Sequence, residues 1–262
     1  MQSESISVPH GTLLKLAELI VPLTAPVVYR ESDGEPMAET DVHRDEMTDA
    51  LIHPLKERYR ADPLVYVSGN LLLYYEEGNP YASVAPDVFV AFGIKNEQRR
   101  TYKLWQEGKA PDVVFELSSE STRNKDLSEK RLLYERLGVL EYFIFDPLRE
   151  YLRPPLQGFR LGGAYYTPLA AAHLADDNWE LPSEVLGLTL RTAGSTLRLY
   201  DAVAGRYLLN RAEEAEARRQ AEREAVNEAA ARRQAEARLQ AADAEIISLR
   251  ARLAERNDHA KP

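Results

Sequence analysis

Pro111-Asp-Val-Val-Phe-Glu-Leu-Ser118 reads as a β-strand with a charge where a core would not ordinarily hold one. Strand residues alternate faces with a period of two, so Val113, Phe115 and Leu117 share one side while Asp112, Val114, Glu116 and Ser118 share the other. The first side is core. The second places a carboxylate, Glu116, near the end of an otherwise apolar run. A buried carboxylate is costly unless it is paired, protonated or bound to a cation. A second strand-like run, Pro86-Asp-Val-Phe-Val-Ala-Phe92, opens with another acid, Asp87. Two acids on neighbouring strands are what a hard divalent cation needs.

Outward from this stretch, Asp126 followed three residues later by Glu129 predicts a helix start with a capping box. Leu127, Leu133, Tyr134 and Leu137 give that helix an apolar stripe, and Gly138 is a suitable stop. Val139-Leu-Glu-Tyr-Phe-Ile-Phe145 then reads as a buried strand ending at Asp146-Pro147. Upstream, Val42, Met47, Leu51, Leu55 and Tyr59 recur near helical spacing and predict a helix over 39–59, capped by Thr40 or Asp41. Val65 to Glu76 gives one or two strands with a bend or bulge at Ser68-Gly-Asn70. Gly78-Asn-Pro80 turns the chain into a strand from Ala82 to Phe92. The order helix, three strands, helix, strand implies an α/β fold: a mixed sheet with helices on its faces.

These residues resemble a known family. Asp87 within Pro86-Asp87, Glu116 within Val114-Phe-Glu-Leu-Ser118, then Ser121-Thr122, Asp126, Lys130 and Tyr134 are similar to the Uma family of restriction-endonuclease-like proteins, which have a PD-(D/E)XK nuclease core. The resemblance is strongest from about Asp41 to Pro147 and continues more weakly to about Asn210. It implies a restriction-endonuclease-like sheet and a Mg²⁺-dependent (or Mn²⁺-dependent) endonuclease acting on DNA, with Asp87 and Glu116 as the metal ligands. The chain departs from the common pattern in one respect: Ser118 stands two residues after the glutamate, where a lysine is usual. The resemblance implies that Lys130 takes over, because Uma-type sequences carry the serine and a helix lysine together. Lys130 lies four residues after Asp126 and four before Tyr134, so the three share a helix face. Lys125 is the runner-up, at the helix entrance. In nucleases of this type the first helix often lends an acid, for which Glu39 or Glu46 is available. The catalytic set is thus Asp87, Glu116 and Lys130, with Glu46, Ser118, Lys125, Asp126 and Tyr134 as accessory candidates. The bland alternatives are strand-end acids satisfied by arginine or backbone donors, a solvated helix glutamate, and a Lys130 that merely pairs with Asp126.

Composition sets limits on this reading. The 262 residues, 44% of them hydrophobic, suffice for one sizeable domain plus an extension. Without cysteine there are no disulfides, zinc-thiolate sites or cysteine nucleophiles, which suits a cytoplasmic protein. The stretch Leu13 to Val28 is broken by Lys15, Glu18, Pro22 and Pro26 and has no basic lead, so neither a signal peptide nor a membrane span is expected. A net charge of −9 lacks the global basic field of many DNA-binding proteins, although a local cleft can still be positive. Such a patch is offered by Gly93 to Ala110, where Lys95, Arg99, Arg100, Lys103 and Lys109 outnumber Glu97 and Glu107 and interleave with Tyr102 and Trp105. Arg99, Arg100 and Lys103 are the candidate nucleic-acid contacts, as against a solvated connection.

Four segments follow: an N-terminal arm (1–40) with a short helix around Thr12 to Leu19, a nuclease-like domain (41–210), a helical coiled-coil tail (211–256) and a disordered end (257–262). Residues 151–210 read as hairpins flanking the core, without chemistry. The tail repeats Ala-Arg-Arg-Gln-Ala-Glu at 217–222 and 231–236, and Leu239, Ala242, Ile246, Leu249 and Leu253 form a heptad seam. Homodimerisation through residues 239–253 is the expectation, with a solvated single helix as the bland alternative. His43-Arg-Asp45 lacks a kinase's glycine loop, the five histidines show no metal-ligand spacing, and Ser118, Ser119 and Ser121 have no nucleophile-elbow context. A rival to the nuclease is a catalytically weak or inactive nuclease-fold binding or scaffold module that acts through its tail.

Overall fold

The middle strands of the central sheet are short, β-branched or aromatic runs buried on both faces, whereas its last strand is largely exposed. In chain order the strands are β1 (Val65–Ser68), β2 (Leu73–Tyr74), β3 (Ser83–Val84), β4 (Val88–Phe92), β5 (Tyr102–Lys103), β6 (Val113–Leu117), β7 (Glu141–Phe145), β8 (Leu156–Gly162) and β9 (Tyr165–Pro168). The computed structural model describes residues 27–32 and 40–258. The predicted helix over Thr12–Leu19, Glu39, most of the Ser32–Pro36 turn, the last four residues and the side chain of Leu253 lie outside the described residues.

The central sheet has the order β1-β4-β6-β7-β8-β9. Only the β6–β7 pair is parallel; the others are antiparallel. A parallel pair needs a crossover, and the helical segment 123–137 supplies it. Strands β2, β3 and β5 form a small separate sheet. Four helical stretches are described: α1 over 41–58, α2 (Leu104–Glu107), α3 over 123–137 and α4 (Arg211–Asp258). Both α1 and α3 contain a wide π-helical turn, Glu46–Ile52 and Asp126–Lys130 respectively. The mixed α/β architecture and the long C-terminal helix are as the residue patterns imply.

Alternation along β6 divides the core. Val113, Phe115 and Leu117 pack with Met47, Leu51 and Leu55 of α1 in one apolar layer. Val114 faces the other way, into a layer with Tyr134, Tyr142 and Ile144. Glu116 shares this second side and is 1% exposed. A second sheet, β10 (Ala172–His173), β11 (Trp179–Ser183), β12 (Leu188–Ala193), β13 (Thr196–Asp201) and β14 (Arg206–Tyr207), is an antiparallel meander. Residues 151–210 are therefore more than flanking hairpins: Leu181, Leu190, Leu197 and Leu199 enter the first apolar layer.

Two local readings are corrected, and the expected bend at Ser68-Gly-Asn70 is present. Asp126 does not cap a helix. The helical conformation begins at Arg123, after Thr122, and Asp126 is fully buried inside α3. The run from Ala82 to Phe92 is two strands, β3 and β4, with Asp87 just ahead of the second. The bend at Ser68-Gly-Asn70 takes a close approach: a Cβ on Gly69 would stand 2.1 Å from the Asp87 carbonyl oxygen and 2.8 Å from Ile52 Cδ1. Glycine is required there, and the Asn70 N–H donates to Pro86 O at 2.8 Å, fastening the backbone that carries Asp87.

Residues 1–208 and 209–262 form two separate units. The second is α4, opened by a reciprocal capping box: Glu213 N donates to Asn210 Oδ1 at 2.9 Å, and Asn210 N to Glu213 Oε2 at 3.0 Å. Its described side chains are exposed up to residue 252 apart from a few in the first turn, and Arg232 pairs with Glu228 at 2.6 Å. Arg218 pairs with Glu222 on its C-terminal side. Among the described residues no helix is long and apolar enough to cross a membrane.

Candidate active site

Register explains why Asp87 and Glu116 meet. Strands β4 and β6 pair Val88 with Phe115 and Phe89 with Val114, so one further step sets Asp87 opposite Glu116. Directly opposed side chains of an antiparallel pair share a face, with Cβ atoms roughly 5 Å apart. Asp87 Oδ2 accepts from Leu117 N at 2.7 Å, and each of the two carboxyl groups acts on the other's titration. Helix α3 crosses this face. Lys130 Nζ donates to Glu116 Oε2 at 2.8 Å, and Tyr134 O–H donates to Oε1 at 2.6 Å. The spacing of 130 and 134 on one helix face thus brings an ammonium and a phenol to the same carboxylate.

Asp126 lies one turn before Lys130, with Oδ1 3.0 Å from Nζ. Neither oxygen of Asp126 receives a directed hydrogen bond, so the contact is an ion pair only. Ser118 Oγ is likewise buried and unpartnered. Three carboxylates therefore surround one ammonium in a dry interior. Burial pushes the Glu116 carboxyl up to about 7; the Lys130 charge opposes this and the Asp87 charge adds to it. Asp87 is raised by burial, against the pull of Lys130 and of the Leu117 N–H. Asp126 is raised by burial and by the nearby Glu116. Burial alone would lower Lys130, but Glu116, Asp126 and Asp87 together hold it above its ordinary value.

The cluster carries more negative charge than Lys130 can offset, and its donors are carboxylate oxygens with two orphaned on Asp126. That composition fits a hard divalent cation, which commonly takes one or two protein carboxylates and keeps several waters. Among the described residues no group of three or more His, Asp or Glu side chains is arranged to hold a metal. Any ion would be held by Asp87 and Glu116, with water completing its shell.

Other candidates fall elsewhere. Glu46 is buried, but its carboxylate accepts from Leu197 N of β13. Burial raises it to about 7, and its polar neighbours are Leu197, Thr196 and Arg198. It supports the packing of α1 on the second sheet and does not join the Asp87–Glu116 cluster. Lys125 is exposed on α3 and makes no ion pair with the buried cluster that Lys130 enters.

Of the proposed nucleic-acid contacts, Arg99 is spent on the fold, whereas Arg100 keeps 82% of its side chain exposed. Arg99 forms a two-point pair with Glu107 at 2.8 and 3.0 Å, donates to the carbonyls of Lys95 and Glu97, and lies over the Tyr66 ring at 4.3 Å. With four of its five N–H donors so occupied, this half-buried guanidinium is built into the fold, which corrects the expectation for Arg99 as a phosphate contact. Arg100 pairs with Glu31, and the Lys103 ammonium sits 4.4 Å from the Tyr29 ring centroid. Tyr102 is wholly buried. The interleaved cations and aromatics hold residues 27–32 against β5 and α2.

One residue that sequence spacing could not find is His43. From α1 its Nε2 reaches Leu117 O at 2.6 Å. A carbonyl only accepts, so Nε2 carries the hydrogen. Leu117 is thereby held on both backbone groups, by Asp87 at N–H and by His43 at C=O. Beside it a cleft of about 220 Å³ opens between Ser118, Ser119, Glu120 and the Pro147–Tyr151 turn. Nothing in the sequence ties positions 43 and 151 to 118; only the packing of α1 and the β7–β8 connection on the sheet does so.

Comparison with known proteins places the chain in a family. Residues 21–193 match the model of the family Uma2, described as “Putative restriction endonuclease”. Among solved structures, the chain is similar to one described as a putative nuclease belonging to DUF820 from Anabaena variabilis. The identity is 12%, over 61% of this chain and 86% of that one, with a TM-score of 0.41. No curated protein matches the chain.

Proposed function

We propose, from the premise that this chain belongs to the Uma2 family of “Putative restriction endonuclease” proteins, that it is a divalent-metal-dependent phosphodiesterase of the PD-(D/E)XK type acting on DNA in the cytoplasm. The observation that carries the reading is the meeting of Asp87, Glu116 and Lys130, residues from two strands and a helix, in one buried cluster.

Asp87 and Glu116 would hold Mg²⁺ or Mn²⁺, which when bound polarises the phosphate and acidifies the attacking water. Lys130 keeps its proton throughout the physiological range because three carboxylates face it. It therefore serves as a fixed positive charge that orients water and offsets charge developing on the phosphate. Tyr134 fixes the rotamer of Glu116 through Oε1, and Lys130 takes Oε2. Asp126 steadies Lys130 from the preceding turn. With Arg99 committed to Glu107, exposed cations near the cluster, Arg123 and Lys125, are better placed to meet the DNA backbone.

A supercoiled-plasmid nicking assay with Mg²⁺ or Mn²⁺ tests this. The parent is expected to nick and Asp87→Ala to lose nicking by two to three orders of magnitude, roughly the range for deleting a charge-stabilising group. Equal nicking by both points to contamination and leaves the scaffold reading ahead.

The tail fits association with a second copy. Leu239, Ile246 and Leu249 are 64%, 47% and 49% exposed and keep heptad spacing. Sedimentation of the full chain is expected to show a dimer that a version ending at Asn210 loses. Two monomers at tens of micromolar would remove the idea.

A further inference from the structure

The cleft beside Ser118 has a lining that the hydrolytic cluster does not account for. Its volume is about 220 Å³. Pro147, Leu148 and the Tyr151 ring give it an apolar side, and Ser118, Ser119 and Glu120 a polar one. Thr40, Val42 and His43 of the start of α1 close it on a third side; among the described residues no lysine or arginine lines it and the Glu120 carboxylate does, which disfavours a phosphate there. The Ser118 hydroxyl is 1% exposed and its Oγ has no partner. That oxygen is closed off beneath the cleft wall, so the polar edge of a bound group would meet Glu120 instead. A flat group with apolar faces and hydrogen-bonding edges is the chemistry such a cleft takes.

Ser118 continues the face of β6 that carries Glu116. Two residues of strand span about 7 Å, within the reach of one nucleotide from phosphate to base. We propose that this cleft is a nucleobase subsite, receiving the base of an unpaired nucleotide whose phosphate lies at Asp87 and Glu116. This rests on the phosphodiesterase reading and extends it to a substrate class: DNA with single-stranded or extruded nucleotides, because a stacked base cannot enter a cleft. Tyr151 supplies the stacking surface and Leu148 the opposing wall. Glu120 accepts from an exocyclic amine, favouring bases that present one on the exposed edge.

The test is binding of short single-stranded oligodeoxynucleotides to the full chain, with Ca²⁺ in place of Mg²⁺ to suppress cutting, read by fluorescence anisotropy. Each oligonucleotide is compared with versions in which one base at a time is removed to leave an abasic sugar. The parent is expected to lose about tenfold in affinity at one position, in line with the contribution of a single stacked base. Leu148→Trp, at a half-exposed turn position, fills the cleft and should flatten that profile. Glu120→Gln, at an exposed position, should keep the profile and change which bases are accepted there. A parent without position dependence, or a Leu148→Trp variant with an unaltered profile, overturns the subsite. The nicking assay fails separately. No nicking with an intact abasic profile removes only the hydrolytic reading, whereas nicking with a flat profile removes only the subsite.

Discussion

Glu116→Gln is expected to abolish nicking, by on the order of a thousandfold, while leaving the metal-free protein at least as stable as the parent at pH 8. The sign follows from the raised carboxyl. Folding lifts Glu116 from an ordinary value of 4.5 to about 7, so between these limits the folded state holds a proton that the unfolded chain has released. Stability from this group is complete below about pH 4.5 and is lost as the pH rises through 7. The total is on the order of 3 kcal/mol for a group acting alone. Glutamine keeps the shape, retains an acceptor for Tyr134 and has no proton to lose, so its stability should be flatter over this range. Mn²⁺ should reverse the order, raising the melting temperature of the parent at pH 8 but not that of the variant. Thermal melts at pH 5 and pH 8, with and without Mn²⁺, check both halves. A glutamine variant that melts well below the metal-free parent at pH 8 would contradict the account of the cluster.

Lys130→Met carries the opposite expectation. Removing the only cation from a buried set of three acids should destabilise the fold by about 3–5 kcal/mol at pH 8. Lys130 itself stays charged from pH 5 to 8, so its own titration adds no slope there. The slope comes from the acids: as the pH falls through 7 Glu116 takes up a proton, less counter-charge is needed, and the penalty should shrink. Urea unfolding at the two pH values measures this. An equal penalty at both would mean that packing of the lysine stem, not charge balance, is what Lys130 provides. The double variant Glu116→Gln, Lys130→Met should recover part of the loss at pH 8, because one of the stranded charges is gone.

The central sheet was legible because its signals are local. Period-two alternation in Val113–Leu117 and Val88–Phe92 fixes which side each acid faces, and four-residue spacing puts Lys130 and Tyr134 on one side of α3. Which residues share a face was thus legible locally, whereas the approach of Lys130 to Glu116 was implied by the family resemblance and the Tyr134 bond to Glu116 is seen only in the structure. What could not be read depends on long-range pairing. Glu46 has the spacing of a first-helix acid, yet its partner is Leu197, 151 residues away. His43 was set aside because histidines without metal-ligand spacing carry no message, and its role depends on a backbone carbonyl 74 residues on. Arg99 misled for a related reason: a loop rich in cations and aromatics has the same composition whether it meets a nucleic acid or the body of its own domain. The Asp126 capping box failed because Asp followed by Glu three residues later also suits the interior of a helix when a lysine one turn on neutralises the aspartate.

The Glu46–Leu197 bond also decides where the chain can be shortened. A fragment ending at residue 193 would retain every group of the acidic cluster, yet it would forfeit the last hairpin partner of β12, two leucines of the apolar layer and the amide that accommodates a glutamate inside α1. Because α1 also delivers His43 to the strand end, damage at one margin would be felt at the other. Anyone seeking the smallest working piece should therefore trim no further than the close of the second sheet, and should judge a silent shorter piece as misfolded before judging it inactive.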